Sequence, residues 1–266
     1  MSELLYSLFF YMALGAATGV VAGLLGVGGG LIIVPTLAWI FHLQGMPAGV
    51  IMHLAIGTSL ATIIVTSISS VRAHHRHGAV LWPVFWQLAP GLVIGTLLGS
   101  ELAGALRNDT LRIIFGIFTL TVATQIGFGF KPSPHRNLPG TAGMATAGGL
   151  IGLVSAIVGI GGGSMTVPLL TWCNETIHKA VATSAACGLP IALAGAVGYV
   201  FTGWGQPDLP PWSCGYVYGP ALLGISLISM LSAPLGAKLA HSLPTVTLRK
   251  VFAGFLGIIG IKMLLG

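Results

Sequence analysis

From Leu4 to Phe41 the chain runs for 38 residues without a Lys, Arg, Asp or Glu, and three adjacent glycines, Gly28, Gly29 and Gly30, stand inside the run. A single straight helix of that length would measure about 57 Å. The hydrocarbon core of a bilayer is only about 30 Å thick. Each glycine weighs against a continuous helix by roughly 1 kcal/mol relative to alanine. In lipid, every backbone N–H and C=O needs a partner inside the protein. The run therefore predicts a hairpin of two membrane segments that meet at a glycine break, with the freed backbone groups turned toward protein, water or ligand.

Composition agrees that lipid is the solvent. Of 266 residues, 55% are hydrophobic and 6% charged, whereas a soluble domain carries about 25% charged residues. The net charge of +6 comes from 11 Lys and Arg set against 5 Asp and Glu. These cations are scattered among loops, the pattern of topology signals, so a nucleic-acid partner is not expected. Cys173, Cys187 and Cys214 show no CxxC spacing and read as core residues, not as a disulfide or metal framework. The start, "MSELLYSLFF", has no basic n-region and reads as a retained first span.

Apolar runs cover about 4–41, 48–71, 80–104, 109–130, 140–173, 179–203, 213–240 and 246–265. Between them lie a basic loop "RAHHRHG" (72–78), a proline-rich linker "KPSPHRNLPG" and an interfacial loop "GWGQPDLPPW". Trp82, Trp86, Trp204 and Trp212 suit the bilayer interface. The sequence also repeats. "GVVAGLLGVGGGLIIVPTL" (19–37) and "GLVSAIVGIGGGSMTVPLL" (152–170) agree at nine of nineteen positions. "HLAIGTSLA" (53–61) aligns with "HKAVATSAA" (178–186), and "GSELAGALRNDTLRIIF" (99–115) with "GAKLAHSLPTVTLRKVF" (236–252). Three matches in one order define two homologous membrane repeats, 1–130 and 140–266, joined by a linker at 131–139.

Charge orients the halves. If runs one and five are hairpins, each half makes an odd number of net crossings. Arg72, Arg76, Lys131, Arg136, Lys179, Lys238, Arg249 and Lys250 then fall on one side, with Arg107 and Arg112 on the other. If all eight runs crossed once, the bias would vanish. The positive-inside rule therefore predicts an all-α polytopic membrane protein built as an inverted repeat. Each half has a glycine-broken helical hairpin plus three spanning helices, and both termini lie outside the cytoplasm.

The break supplies chemistry. A helix that begins near Gly30, and another near Gly163, exposes unpaired N–H groups at its start, and the positive end of its dipole favours an anion. Gly28, Gly29, Gly30, Gly161, Gly162 and Gly163 let a ligand approach the backbone. Close helix packing is the alternative role for glycines, and Gly91, Gly95 and Gly99, spaced by four, suit it. Thr58, Ser59, Thr183 and Ser184 lie mid-run, where their hydroxyls either face a ligand or bond back to their own helix. His53 and His178 correspond across the repeat as candidates for proton coupling, beside a plain interfacial role. His74, His75 and His77 read as a solvated loop, because no acid or cysteine accompanies them. All five carboxylates lie near span ends, which disfavours cation transport. The dinucleotide-fingerprint spacing is not met.

The doubled "GxGGGxxxVP" followed by a Thr-Ser helix resembles the TauE/SafE sulfite exporter family across essentially the whole chain. The resemblance implies transport of sulfur-containing oxyanions such as sulfite, organosulfonates or thiosulfate across the bacterial cytoplasmic membrane, with no dedicated cofactor. The expected function is a non-enzymatic secondary transporter working by alternating access, its small anionic substrate held between the two glycine tips. Ser164 and Thr166 in the second copy replace Leu31 and Ile33, an asymmetry that suits an asymmetric substrate. An anion channel, an intramembrane enzyme using Ser59, and an accessory membrane protein are the competing readings. A homo-oligomer is open to any of them.

Overall fold

The computed structural model describes residues 2–25, 29–129, 138–240 and 245–265. Gly28 and positions 131–137 of the linker lie outside them. The described residues form ten helices: α1 (Ser2–Leu25), α2 (Gly30–Leu43), α3 (Ile51–Arg76), α4 (Trp82–Ala105), α5 (Asn108–Phe128), α6 (Thr141–Val158), α7 (Gly163–Trp172), α8 (Ile177–Thr202), α9 (Gly219–Ala240) and α10 (Thr245–Leu265). Five of them, α3, α4, α5, α6 and α8, are long and apolar enough to cross a membrane. The protein is a polytopic, mostly helical membrane protein.

The two long apolar runs are each divided at their glycines, and α2 and α7 begin at the equivalent residues Gly30 and Gly163. The second break is drawn by left-handed backbone: Gly159 closes α6 at φ +77° and Gly162 opens α7 at φ +75°. L side chains adopt that conformation with difficulty, whereas glycine does so without penalty. Pro35 and Pro168 then stand inside α2 and α7. Each withholds the amide that would otherwise bond the carbonyl four residues earlier.

Small residues set the helix pairing. Along α4, Gly91, Gly95 and Gly99 meet Ala145, Gly149 and Leu153 of α6 in turn, so the two helices run parallel and backbone to backbone. A β-carbon on any of the three would collide with an α6 carbonyl. Along α1, Gly15 meets Ile225 and Gly19 meets Ser229 and Ser232, so α1 runs parallel to α9 in the same manner. α3 and α8 are antiparallel, with Gly57 against Tyr199, Leu60 against Gly195 and Ser67 against Gly188. α5 and α10 are also antiparallel through Gly116 against Gly260 and Leu264, and Gly127 against Ala253. α3 is the most enclosed of the long helices and α5 the least. Large apolar side chains such as Ile94, Leu98, Ile117, Leu227 and Ile258 cover the outer surface, as a lipid-facing wall requires.

The structure departs from the sequence reading at three places. The expected basic loop 72–78 is largely helix: α3 continues to Arg76 because "RAHHR" contains no breaker, and the turn waits for Gly78 at φ +63°. The molecule is also not wholly α. Ser213–Cys214 and Val217–Tyr218 pair antiparallel, Ser213 opposite Tyr218 and Cys214 opposite Val217. This hairpin takes the start of the run expected to be helix from 213. Pro210 and Pro211 disfavour helix there, and Trp212 (φ +72°) and Gly215 (φ +53°) turn the chain. Finally, Cys214 is exposed and not the core residue expected of it, because it lies on that hairpin.

Candidate functional site

The two glycine breaks meet. A β-carbon at Gly30 would stand 2.5 Å from the carbonyl oxygen of Gly159 and 3.0 Å from Cα of Ile160. Gly161 packs on Ile63 of α3, and its carbonyl oxygen lies 3.0 Å from where a β-carbon of Gly188 would be. Gly162 faces Ile191, Ile151 and Thr166. The second tip is thus wedged between α3 and α8, with the start of α2 against its flank.

Both helices that leave the breaks begin with amides that have no intrahelical acceptor. In α2 the first bonds are made by Ile32 and Ile33, both to Gly29 O. In α7 they are made by Met165 and Thr166, both to Gly162 O. The amides of Gly30 and Leu31, and of Gly163 and Ser164, precede those bonds. They are the groups a helix N-terminus offers to an anion.

The repeated hydroxyls are all buried, and three of them bond to residues outside their own helix. The oxygen of Thr58 accepts a hydrogen bond from the amide of Tyr218 at 2.9 Å. The oxygen of Thr183 accepts one from the amide of Leu81, also at 2.9 Å. Tyr218 directly precedes α9 and Leu81 directly precedes α4, so each threonine clasps the entry to a helix of the opposite half. Ser59 donates to the carbonyl of Gly159 at 2.9 Å, which fastens the second tip to α3. None of these three contacts is the local back-bond to the same helix. Ser184 is buried as well.

The two histidines do not share an environment. His53 is buried, stacks on Tyr216 with ring centroids 4.8 Å apart, and brings Nε2 to 3.1 Å from Ala103 O. That contact makes Nε2 the donor, so the neutral ring leaves Nδ1 as an acceptor, and Nδ1 has no partner. His178 is exposed on the first turn of α8. His75 Nδ1 accepts from the indole N–H of Trp82 at 3.2 Å. Among the described residues no three His, Cys, Asp or Glu side chains are placed to hold a metal ion.

Seven buried side-chain hydroxyls among the described residues have nothing to bond, and three of them belong to one glycine break. Ser155 Oγ, Ser164 Oγ and Thr166 Oγ1 are buried without a hydrogen-bond partner. A buried hydroxyl left unsatisfied is costly, and these three flank one break, Ser155 in the last turn of α6 and the other two in the first turn of α7. Sequence reasoning named Ser164 and Thr166 and overlooked Ser155. The signal for it was in the repeat. In the aligned motif these are the three positions where the second copy has a hydroxyl and the first an apolar residue: Ala22, Leu31 and Ile33.

Comparison with known proteins gives one consistent answer. Residues 11–263 match the family described as sulfite exporter TauE/SafE. A protein of Haemophilus influenzae named "Probable membrane transporter protein" is 37% identical over 255 residues, covering 96% of this chain and 97% of its own length. A "Probable membrane transporter protein" of Methanocaldococcus jannaschii is 27% identical over 267 residues, covering 99% and 97%. One of Bacillus subtilis is 27% identical over 217 residues, covering 74% and 80%. No solved structure gives a significant match.

Proposed function

The chain belongs to the sulfite exporter TauE/SafE family of membrane proteins, and from that premise we propose that it is a secondary transporter of small sulfur-containing oxyanions. Sulfite, thiosulfate and short organosulfonates are the candidate substrates. The anion sits between the two glycine tips, and the tips exchange access between the two faces of the bilayer. The observation that carries this reading is that Ser155, Ser164 and Thr166, on the two helix ends that flank the second break, have buried hydroxyls with no partner. An oxyanion accepts hydrogen bonds on every oxygen, and these hydroxyls and the adjacent helix-start amides are donors. The three hydroxyls all flank the second break, so the site is lopsided, which suits a substrate with one oxyanion end.

Alternating access follows most simply from an inverted repeat of residues 1–130 and 140–266. Several contacts support that arrangement. The parallel pair α4–α6 has its counterpart in α1–α9, and the Thr58–Tyr218 clasp has its counterpart in Thr183–Leu81. The antiparallel pairs α3–α8 and α5–α10 join equivalent helices of the two halves. Of the two histidines, His53 has the buried, half-satisfied ring that a proton-coupling role requires. A hydrolytic role for Ser59 is unattractive, since its proton is directed to Gly159 O and His53 is tied to Ala103.

The test is flux of labelled sulfite, thiosulfate and an aminoalkylsulfonate in proteoliposomes. Thr166→Val keeps the side chain's shape and removes a hydroxyl with no protein partner. Loss of one hydrogen bond to a charged ligand corresponds to about 1.5–3 kcal/mol, so half-saturation should rise roughly tenfold to a hundredfold while thermal stability holds. Unchanged half-saturation in Thr166→Val and Ser164→Ala would refute the site.

A further inference from the structure

A second group of polar side chains stands apart from the glycine tips. A crevice of about 550 Å³ opens between α2, the start of α3, the start of α5 and the end of α10. Its walls are mainly apolar, with Pro35, Trp39, Phe255 and Ile259 among them, and two cations line it, Arg112 and Lys262, against one carboxylate, Asp109. They come from helices far apart in sequence. The antiparallel contact of Gly116 with Gly260 and Leu264 sets Arg112, one turn before Gly116, beside the last turn of α10.

Neither cation has a strong anionic partner. The guanidinium of Arg112 reaches the carboxylate of Asp109 only at 3.9 Å, and Asp109 is 65% exposed. An ion pair that long and that wet contributes little. Nε of Arg112 is buried and has no hydrogen-bond partner. The ammonium of Lys262 lies 5.3 Å from the ring centre of Trp39, a contact that holds a cation without neutralising it. The crevice borders surface rich in exposed Trp39, Ile113, Phe255 and Ile261, a surface made for hydrocarbon. Two cations set against one exposed carboxylate in an otherwise apolar slot complement a molecule that is anionic at one end and aliphatic at the other. A small free anion would leave the walls unused, and a neutral lipid would leave the cations unused.

We propose that this crevice binds one anionic amphiphile, its phosphate or sulfonate oxygens on Arg112 and Lys262 and its hydrocarbon along Trp39, Phe255 and Ile259. Two sources share that chemistry: an anionic phospholipid of the bilayer and a water-borne alkylsulfonate. The site is independent of the tip site, and its test reads binding, not flux.

Trp39 in the wall provides the readout. The Trp39-dependent emission is obtained as the difference between the intact protein and Trp39→Phe in detergent. It is then titrated with brominated phosphatidylglycerol, with brominated phosphatidylcholine, and separately with hexanesulfonate against hexanol. The phospholipid source predicts quenching at about tenfold lower phosphatidylglycerol than phosphatidylcholine, in line with two surface-level cations. The alkylsulfonate source predicts a saturable response to hexanesulfonate that hexanol does not give, without the phospholipid preference. In either case Arg112→Gln with Lys262→Gln should abolish the discrimination and Arg112→Lys should keep most of it. Lys262→Gln alone, at an exposed position, should weaken it without disturbing the fold. Equal responses to anionic and uncharged ligands in both arms, or a preference that survives the double substitution, would overturn the proposal.

Discussion

At the scale of single residues, the repeated hydroxyls divide into those the fold uses and those it leaves open. Thr58 and Thr183 each satisfy one backbone amide at the entry to a long helix of the other half. Valine in their place keeps the shape but strands that amide. An unsatisfied buried donor costs about 1–3 kcal/mol, so Thr58→Val and Thr183→Val should each lower the thermal unfolding midpoint in detergent, by similar amounts. Thr166→Val, which strands nothing, should leave that midpoint unchanged or raised. If all three behaved alike, the distinction between clasp and open hydroxyl would fail. The sequence points to these residues through the repeat, but it does not separate their roles. Their partners lie 160 and 102 positions away and are backbone amides, which leave no trace in residue identity. Ser155 was missed for the opposite reason. One serine in an apolar helix ordinarily bonds back to its own backbone, so its place opposite Ala22 in the repeat gains weight only once its oxygen is seen buried and unpaired.

At the scale of elements, the glycine breaks are the most legible feature of the chain. Glycine runs and a proline five residues into the following segment fix where α2 and α7 begin, because both residue types act locally on the backbone. The tip contact itself is tight enough to test. Gly30→Ala would drive a methyl to 2.5 Å from Gly159 O, so the tips must separate. Flux and thermal stability should both fall, by more than the ~1 kcal/mol that alanine ordinarily adds to a helix. Gly257→Ala in α10, where nothing lies within 4 Å of the added carbon, is the matched control and should stabilise slightly. Equal outcomes at the two glycines would mean that the tips do not bear on one another. The short hairpin Ser213–Tyr218 was less legible. Two-residue strands carry no periodicity, and Val217, Tyr216 and Tyr218 read as apolar helix until their burial against α3, α8 and α9 is seen.

For the whole molecule, the proposed inverted arrangement rests on charge in the sequence and on helix direction in the structure, which are independent. The C-terminal end of α3 and the N-terminal end of α4 share one end of the bundle, because only Gly78 and its neighbours separate them. Thr183, in the second turn of α8, reaches Leu81, so α8 starts at that same end. α8 then runs parallel to α4, through Gly198 against Ser100 and Gly104 against Thr202, and finishes at the opposite end. From there α9 and α10 return in turn, which places the start of α10 with the end of α3. Positions 72, 76, 179, 238, 249 and 250, each a Lys or Arg, thus gather at one end, and Arg107, Arg112 and Lys262 at the other. The positive-inside rule assigns the first group to the cytoplasm. Single cysteines at positions 74 and 245, in a background free of the exposed Cys214, should therefore react with an impermeant maleimide only after the membrane is opened from the cytoplasmic side. A cysteine at position 107 should react from outside. Labelling of 74 and 245 from opposite faces would break the inverted repeat, and with it the argument that the two hairpins enter from opposite sides to meet at Gly30 and Gly159.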